Sequence, residues 1–97
     1  MPILNDIKTV LRICVENTAY DSEISDLIAA ARADLMLSGF LQSKANDDTD
    51  PLIKRAITVY VKANFGWNNP DSERLQQAYY MLKVHLTLSR EYTEAVE

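Results

Sequence analysis

The chain predicts an all-α fold, a small single-domain bundle of about four helices with a central apolar third helix. Three observations carry this. Apolar residues recur at spacings of three and four through most of the chain. Only 2 Gly and 3 Pro occur, and they stand at the N-terminus or at apparent helix ends. Hydrophobic residues at 47% and charged residues at 25% are ordinary globular proportions, which argues against disorder. With 97 residues, one domain over 1–97 is expected, burying roughly 60 to 70% of its unfolded surface.

In chain order, Asn5 or Asp6 is the expected cap of a short first helix with Ile7, Val10, Leu11 and Cys14 on one face and Lys8 and Arg12 on another. Cys14 reads as a small buried apolar group. A lone cysteine excludes an internal disulfide and gives no metal-ligand spacing. Glu16 to Tyr20 has little periodicity and reads as a connection, with Asp21 or Ser22 as the next cap. The second helix carries Ile24, Leu27, Ile28, Ala31 and Leu35 as its core stripe. Gly39 is placed for the left-handed C′ position, with Phe40 closing back on Leu35. Leu41 to Thr49, lacking an apolar period, reads as an exposed loop.

Asp50-Pro51 then opens the third helix: a side-chain oxygen takes an orphan N–H at the N-cap, and proline loses nothing at the first helical position. Leu52, Ile53, Ala56, Ile57, Val59, Tyr60, Val61, Ala63 and Phe65 make it too apolar for a surface helix. Lys54, Thr58 and Lys62 form a narrow polar stripe with Arg55 beside it. Gly66 supplies the stop, and Trp67 follows as an anchor. Asn69-Pro70 repeats the cap-and-proline device for the last helix. Leu75, Ala78, Tyr79, Leu82 and Leu86 form one stripe there, and Met81, Val84, Leu88 and Tyr92 form another. Two stripes imply two partners: the intrachain core and a neighbouring subunit, or a helix embedded between two others. Thr93 to Glu97 should fray without a partner.

Sequence patterns for chemistry are missing. His85, the single histidine, has no flanking motif and reads as a surface or partly buried helix residue. Asn46-Asp47-Asp48-Thr49-Asp50 lacks the glycine and the bidentate glutamate of a calcium loop in every register. Both glycines are isolated, so there is no phosphate loop. No catalytic, cofactor-binding or metal-ligating residues are assigned. The net charge of −4 opposes strong nonspecific attraction to nucleic acid. No apolar run approaches the roughly 20 residues that span a bilayer, and the N-terminus lacks a signal-peptide pattern. A soluble protein made in a cytoplasm, with no membrane partner, is expected.

The chain resembles the small helical head–tail connector proteins of tailed bacteriophages, also called adaptor or DNA-packaging proteins. The resemblance is carried by Asp6-Ile7-Lys8, Leu11-Arg12-Ile13, Asp26 to Ala31, Asp34-Leu35 and Ser38-Gly39. Most characteristic are Asp50 to Ile57 and Tyr60 to Gly66, continued by Asn69-Pro70-Asp71, Leu82-Lys83, Leu86 and Leu88-Ser89. It implies a structural, non-enzymatic virion protein of a phage or prophage, assembled in the bacterial host cytoplasm as a homo-oligomeric ring. The implied partners are a portal protein and a head-completion or tail protein, with double-stranded DNA passing through the ring without specific binding. The candidate assembly residues are Met81, Val84, Leu88 and Tyr92, with the basic group Lys54, Arg55 and Lys62. The rival from another class is a small helical DNA-binding regulator, which requires a basic recognition helix; a host partner-binding bundle is a third reading.

Overall fold

The computed structural model describes residues 2–66 and 69–93. Among these, six helices and no strands occur in the order α1 (Pro2–Val10), α2 (Asp21–Leu37), α3 (Gln42–Ala45), α4 (Pro51–Asn64), α5 (Ser72–Thr87) and α6 (Arg90–Thr93). The expected all-α class holds. Two of the six are single turns that periodicity is too short to reveal.

Helix α4 is the centre. It packs against α1, α2 and α5, and Ile53, Ala56, Ile57 and Val61 are completely buried. Its start is the one read from Asp50-Pro51: Asp50 Oδ1 accepts from the Leu52 N–H at 2.9 Å and, more weakly, from Ile53 at 3.5 Å. Its C-terminal carbonyls are satisfied by side chains of the following turn. Asn69 Nδ2 donates to the Lys62 carbonyl at 2.7 Å and Ser72 Oγ to the Ala63 carbonyl at 2.8 Å, so two orphan acceptors are paired while the chain reverses. The last long helix therefore begins at Ser72 and not at Pro70. Asn69 Oδ1 instead accepts the Asp71 N–H in a local turn. Trp67 lies outside the described residues.

Helix α2 buries Ile24, Ile28, Ala31 and Leu35. It closes in a Schellman arrangement, with the Phe40 N–H on the Leu35 carbonyl and the Gly39 N–H on the Met36 carbonyl, both at 3.0 Å. Gly39 has φ +104, in the region open to glycine. No side chain caps its start: Asp21 is already helical and Tyr20 holds the cap position. Glu23 Oε2 accepts the Gly66 N–H at 3.2 Å, and the Tyr20 and Phe65 rings meet edge to face at 5.7 Å. These contacts set the start of α2 beside the end of α4, so the two helices run antiparallel.

Helix α1 begins at Pro2, one turn before the predicted caps. The reason is burial of Ile3 as well as Ile7, which extends the useful apolar face backwards. It ends in the same six-to-one closure as α2, with the Ile13 N–H on the Lys8 carbonyl at 2.8 Å and the Arg12 N–H on the Thr9 carbonyl at 3.0 Å. Arg12 takes the left-handed position at φ 63, where glycine is customary. Cys14 lies beyond this closure and is exposed, contrary to the expected burial, with Sγ donating to Glu16 Oε2 at 2.6 Å.

Lys8 sits inside the fold. Only 1% of it is exposed, and Nζ donates to the carbonyls of Val15 at 2.9 Å and Asn17 at 2.8 Å and pairs with Asp21 Oδ1 at 2.8 Å. Two ammonium protons go to carbonyls and the charge is balanced by the Asp21 carboxylate, whose buried Oδ1 makes an ion pair but no aligned hydrogen bond. The connection between α1 and α2 is thus wrapped around one buried charge.

The segment from Leu41 to Thr49, expected to be an exposed loop, contains α3 and buries Ala45. Arg32 of α2 fixes it, with Nη1 donating to the Ala45 carbonyl at 3.1 Å and Nη2 to Asp48 Oδ1 at 2.7 Å. A guanidinium from the preceding helix, 13 residues back, caps this turn, which no local pattern announces.

Candidate assembly surface

Helix α5 divides its surface between two environments. Tyr79 and Leu86 are buried and Leu75 and Leu82 partly so. Ala78, read as part of that stripe, is exposed. The inner face is anchored at Asp34 of α2, whose Oδ2 accepts the Tyr79 hydroxyl at 2.6 Å and the Lys83 ammonium at 2.9 Å. Burial alone would raise the Asp34 carboxyl, but these two hydrogen bonds and the Lys83 charge outweigh it and hold Asp34 below its usual range. For Tyr79, burial first and then the Asp34 carboxylate push the hydroxyl well above its ordinary range. Lys83 Nζ also stands 5.3 Å from the Tyr79 ring centroid and 5.8 Å from that of Tyr80, cation–π contacts within α5, while the two bonds to Asp34 of α2 fix the rotation of the helix.

With that rotation set, the outer face carries Leu88 at 79% exposure, Met81 at 71%, Tyr80 at 62% and Val84 at 40%. Positions 77, 80, 81, 84 and 88 follow helical spacing, so the four large side chains form one continuous stripe. Two shallow open grooves run along it. One is lined by Glu73, Gln76, Gln77, Tyr80 and Met81, the other by Tyr80, Met81, Val84, His85 and Leu88. A contiguous exposed apolar patch rimmed by polar residues is the usual physical mark of an interaction surface. Tyr79-Tyr80, an aromatic pair whose sequence fits either an interaction patch or simple packing, is split: Tyr79 is packed inside and Tyr80 joins the outer face.

Tyr92 does not share this face. The helix breaks at Leu88 and resumes as α6, and Tyr92 is buried at 5% exposure. Its carbonyl accepts the Leu41 N–H at 2.8 Å and its ring packs 6.0 Å from that of Phe40. Lys44 Nζ lies 5.8 Å from the same ring and 3.7 Å from Glu91. Burial, followed by a hydrogen bond to the Asp50 carboxylate, pushes the Tyr92 hydroxyl up to about 12. Tyr92 therefore closes the fold over the start of α4. Residues 94–97 of the expected frayed tail lie outside the described residues.

The basic group is also divided. Lys54 is half-buried and paired with Asp6 of α1, whereas Arg55 and Lys62 are exposed and seven residues apart, two turns along one side of α4. No group of metal-ligating side chains occurs among the described residues, and no helix there is long and apolar enough to cross a membrane.

Comparison with known proteins gives one finding on family. A family model described as phage connector protein matches residues 3–93. No curated protein and no solved structure matches the chain. The family match covers every described helix except the first residue of α1, including the outer stripe of α5 and the Asp34 anchor beneath it. The chain belongs to the phage connector protein family.

Proposed function

We propose that this chain is a single-domain structural head–tail connector of the virion, one of several copies that form a ring under the portal. The double-stranded genome passes through that ring, and a head-completion or tail protein is built onto it. The observation that carries the reading, beside the family membership, is the outer stripe of α5. Tyr80, Met81, Val84 and Leu88 are exposed on a helix whose opposite face is pinned to α2 and α4, so the stripe is free for contacts outside the monomer. The net charge of −4 suits a channel wall, because tight phosphate neutralisation would oppose sliding.

The test is Met81→Asp with Leu88→Asp, expressed beside the portal and capsid proteins of the same phage. Circular dichroism and melting of the purified variant should match the parent, since both positions are exposed. Rings on portal-bearing heads, counted by electron microscopy, should be lost together with tail attachment. Assembly at parental levels by a folded variant would refute the role of this face and direct attention to Arg55 and Lys62. Titration with a duplex at physiological salt separates the regulator reading: a dissociation constant on the order of 10⁻⁸ M for one sequence would put that reading first.

A further inference from the structure

The outer face of α2 complements that of α5. Ala29, Ala30 and Ala33 are exposed along α2, and the stripe ends at Leu37, which is 88% exposed, and Met36. One face is thus a row of large side chains and the other a shallow row of small ones, and both end in a protruding leucine. We infer that α5 of one copy lies along α2 of the next, large residues over small, as the head-to-tail contact between neighbouring copies. This inference rests on the ring reading and names the surfaces that would build it.

The fold sets the relative direction of α2 and α5 within a copy, and matching their apolar ends sets a register. α2 runs antiparallel to α4, as the Tyr20–Phe65 and Glu23–Gly66 contacts require. α5 is antiparallel to α4 as well, because Ser72 reaches Ala63 at one end while the Tyr79 and Tyr60 rings meet at 5.1 Å further along. Hence α2 and α5 run the same way within each copy. In a ring whose axis lies roughly along these helices, rotation keeps that direction, and α5 of one copy meets α2 of its neighbour in parallel. Two different faces meeting around a rotation axis is the heterologous contact that closes rings.

The helices match in length, 17 residues in α2 and 16 in α5. Aligning Leu88 with Leu37 sets Val84 opposite Ala33 and Met81 opposite Ala30. At the other end the same register brings Arg74 and Gln77 to Glu23 and Asp26, with Glu73 opposite Ser22. The apolar ends therefore coincide. The exposed Arg74, which within its own copy pairs with the exposed Asp71 at 3.4 Å, meets the exposed carboxylates of Asp26 and of Glu23, the latter already accepting the Gly66 N–H through one oxygen. Alanines let the helix axes approach to about 8 Å, the close end of the usual packing range.

The experiment uses cysteine pairs in a Cys14→Ser background, which removes the native thiol. Ala33→Cys and Val84→Cys are placed in one chain, and separately in two chains mixed before assembly on portal-bearing heads under mild oxidation. The single-chain pair should give a ladder of covalent oligomers on a non-reducing gel, and the mixture should give hetero-dimers. The control pair Arg55→Cys with Val84→Cys should give no ladder. Rings seen by electron microscopy without A33C–V84C cross-links would overturn the α2–α5 contact and leave the ring standing. Heads on which no rings form with the unmodified chain would overturn both. A second variant checks the surface without thiols: Ala30→Trp, at an exposed position, should keep the parental melting temperature and lower ring yield at least tenfold. Parental ring yield with that bulky residue in place would also overturn the contact.

Discussion

Replacing Lys8 by Met removes one ammonium and keeps the length of its stem. The structure gives that ammonium three partners, two carbonyls and the Asp21 carboxylate, at 2.8 to 2.9 Å. A hydrogen bond to a charged group contributes about 1.5 to 3 kcal/mol net, but two hydrogen bonds and an ion pair on one nitrogen do not add, since the partners rehydrate when it is gone. Asp21 retains 30% side-chain exposure, and Val15 and Asn17 sit in an exposed connection. Losing one partner of a fully buried pair costs about 3 to 5 kcal/mol, and partial rehydration puts this case at the lower end, about 3 kcal/mol. For a domain of this length that corresponds to a fall in melting temperature of about 12 to 24 °C. Urea unfolding at neutral pH measures the loss directly. A cycle with Asp21→Asn should give a coupling of about 1 kcal/mol or more. The Lys8 ammonium and the Asp21 Oδ1 that faces it are shielded from solvent, so the loss should change little between low and physiological salt. A stability change within about 0.5 kcal/mol, the ordinary range for surface substitutions, would refute the reasoning that this charge organises the first connection.

Ile57→Ala, at a completely buried position of α4, should cost about 2 to 5 kcal/mol through lost packing and a residual cavity; denaturant unfolding matching the parent would deny α4 its central place. Asp34 has a folded-state carboxyl below its ordinary range, so its stabilising contribution is present above the unfolded carboxylate range and is lost as pH falls through the folded value. Melting of Asp34→Asn should accordingly lie below the parent at pH 7 and converge with it in strong acid; a constant gap across that range would contradict the assignment. Tyr92 has the opposite sign: raised to about 12, its contribution is complete below the unfolded tyrosine range and is lost as pH rises toward 12. Tyr92→Phe should flatten the loss of stability between about pH 10 and 12, and an unchanged alkaline limb would exclude the Asp50 contact as its source.

What the residues settled by themselves is local. Asp50-Pro51 starts α4 and Gly39 ends α2 because each device acts through hydrogen bonds within a few residues of itself. Ile24, Ile28, Ala31 and Leu35 were identifiable as one face because helical spacing alone aligns them. Met81, Val84 and Leu88 could be grouped for the same reason, although spacing could not say whether the group faced a partner or the core. The tertiary structure decided everything that depends on groups far apart in sequence. Lys8 turns inward because the connection after α1 folds its carbonyls over the ammonium, and a lysine carries no mark of whether such acceptors will surround it. Arg32 makes a turn out of an apparent loop by reaching Ala45 and Asp48. Tyr92 leaves the α5 stripe because the chain breaks at Leu88 and its ring finds Phe40 and the start of α4, more than forty positions back. Periodicity fixes the angle of a side chain about its own helix axis, whereas burial depends on which other element occupies that direction, and only the packed chain supplies that element.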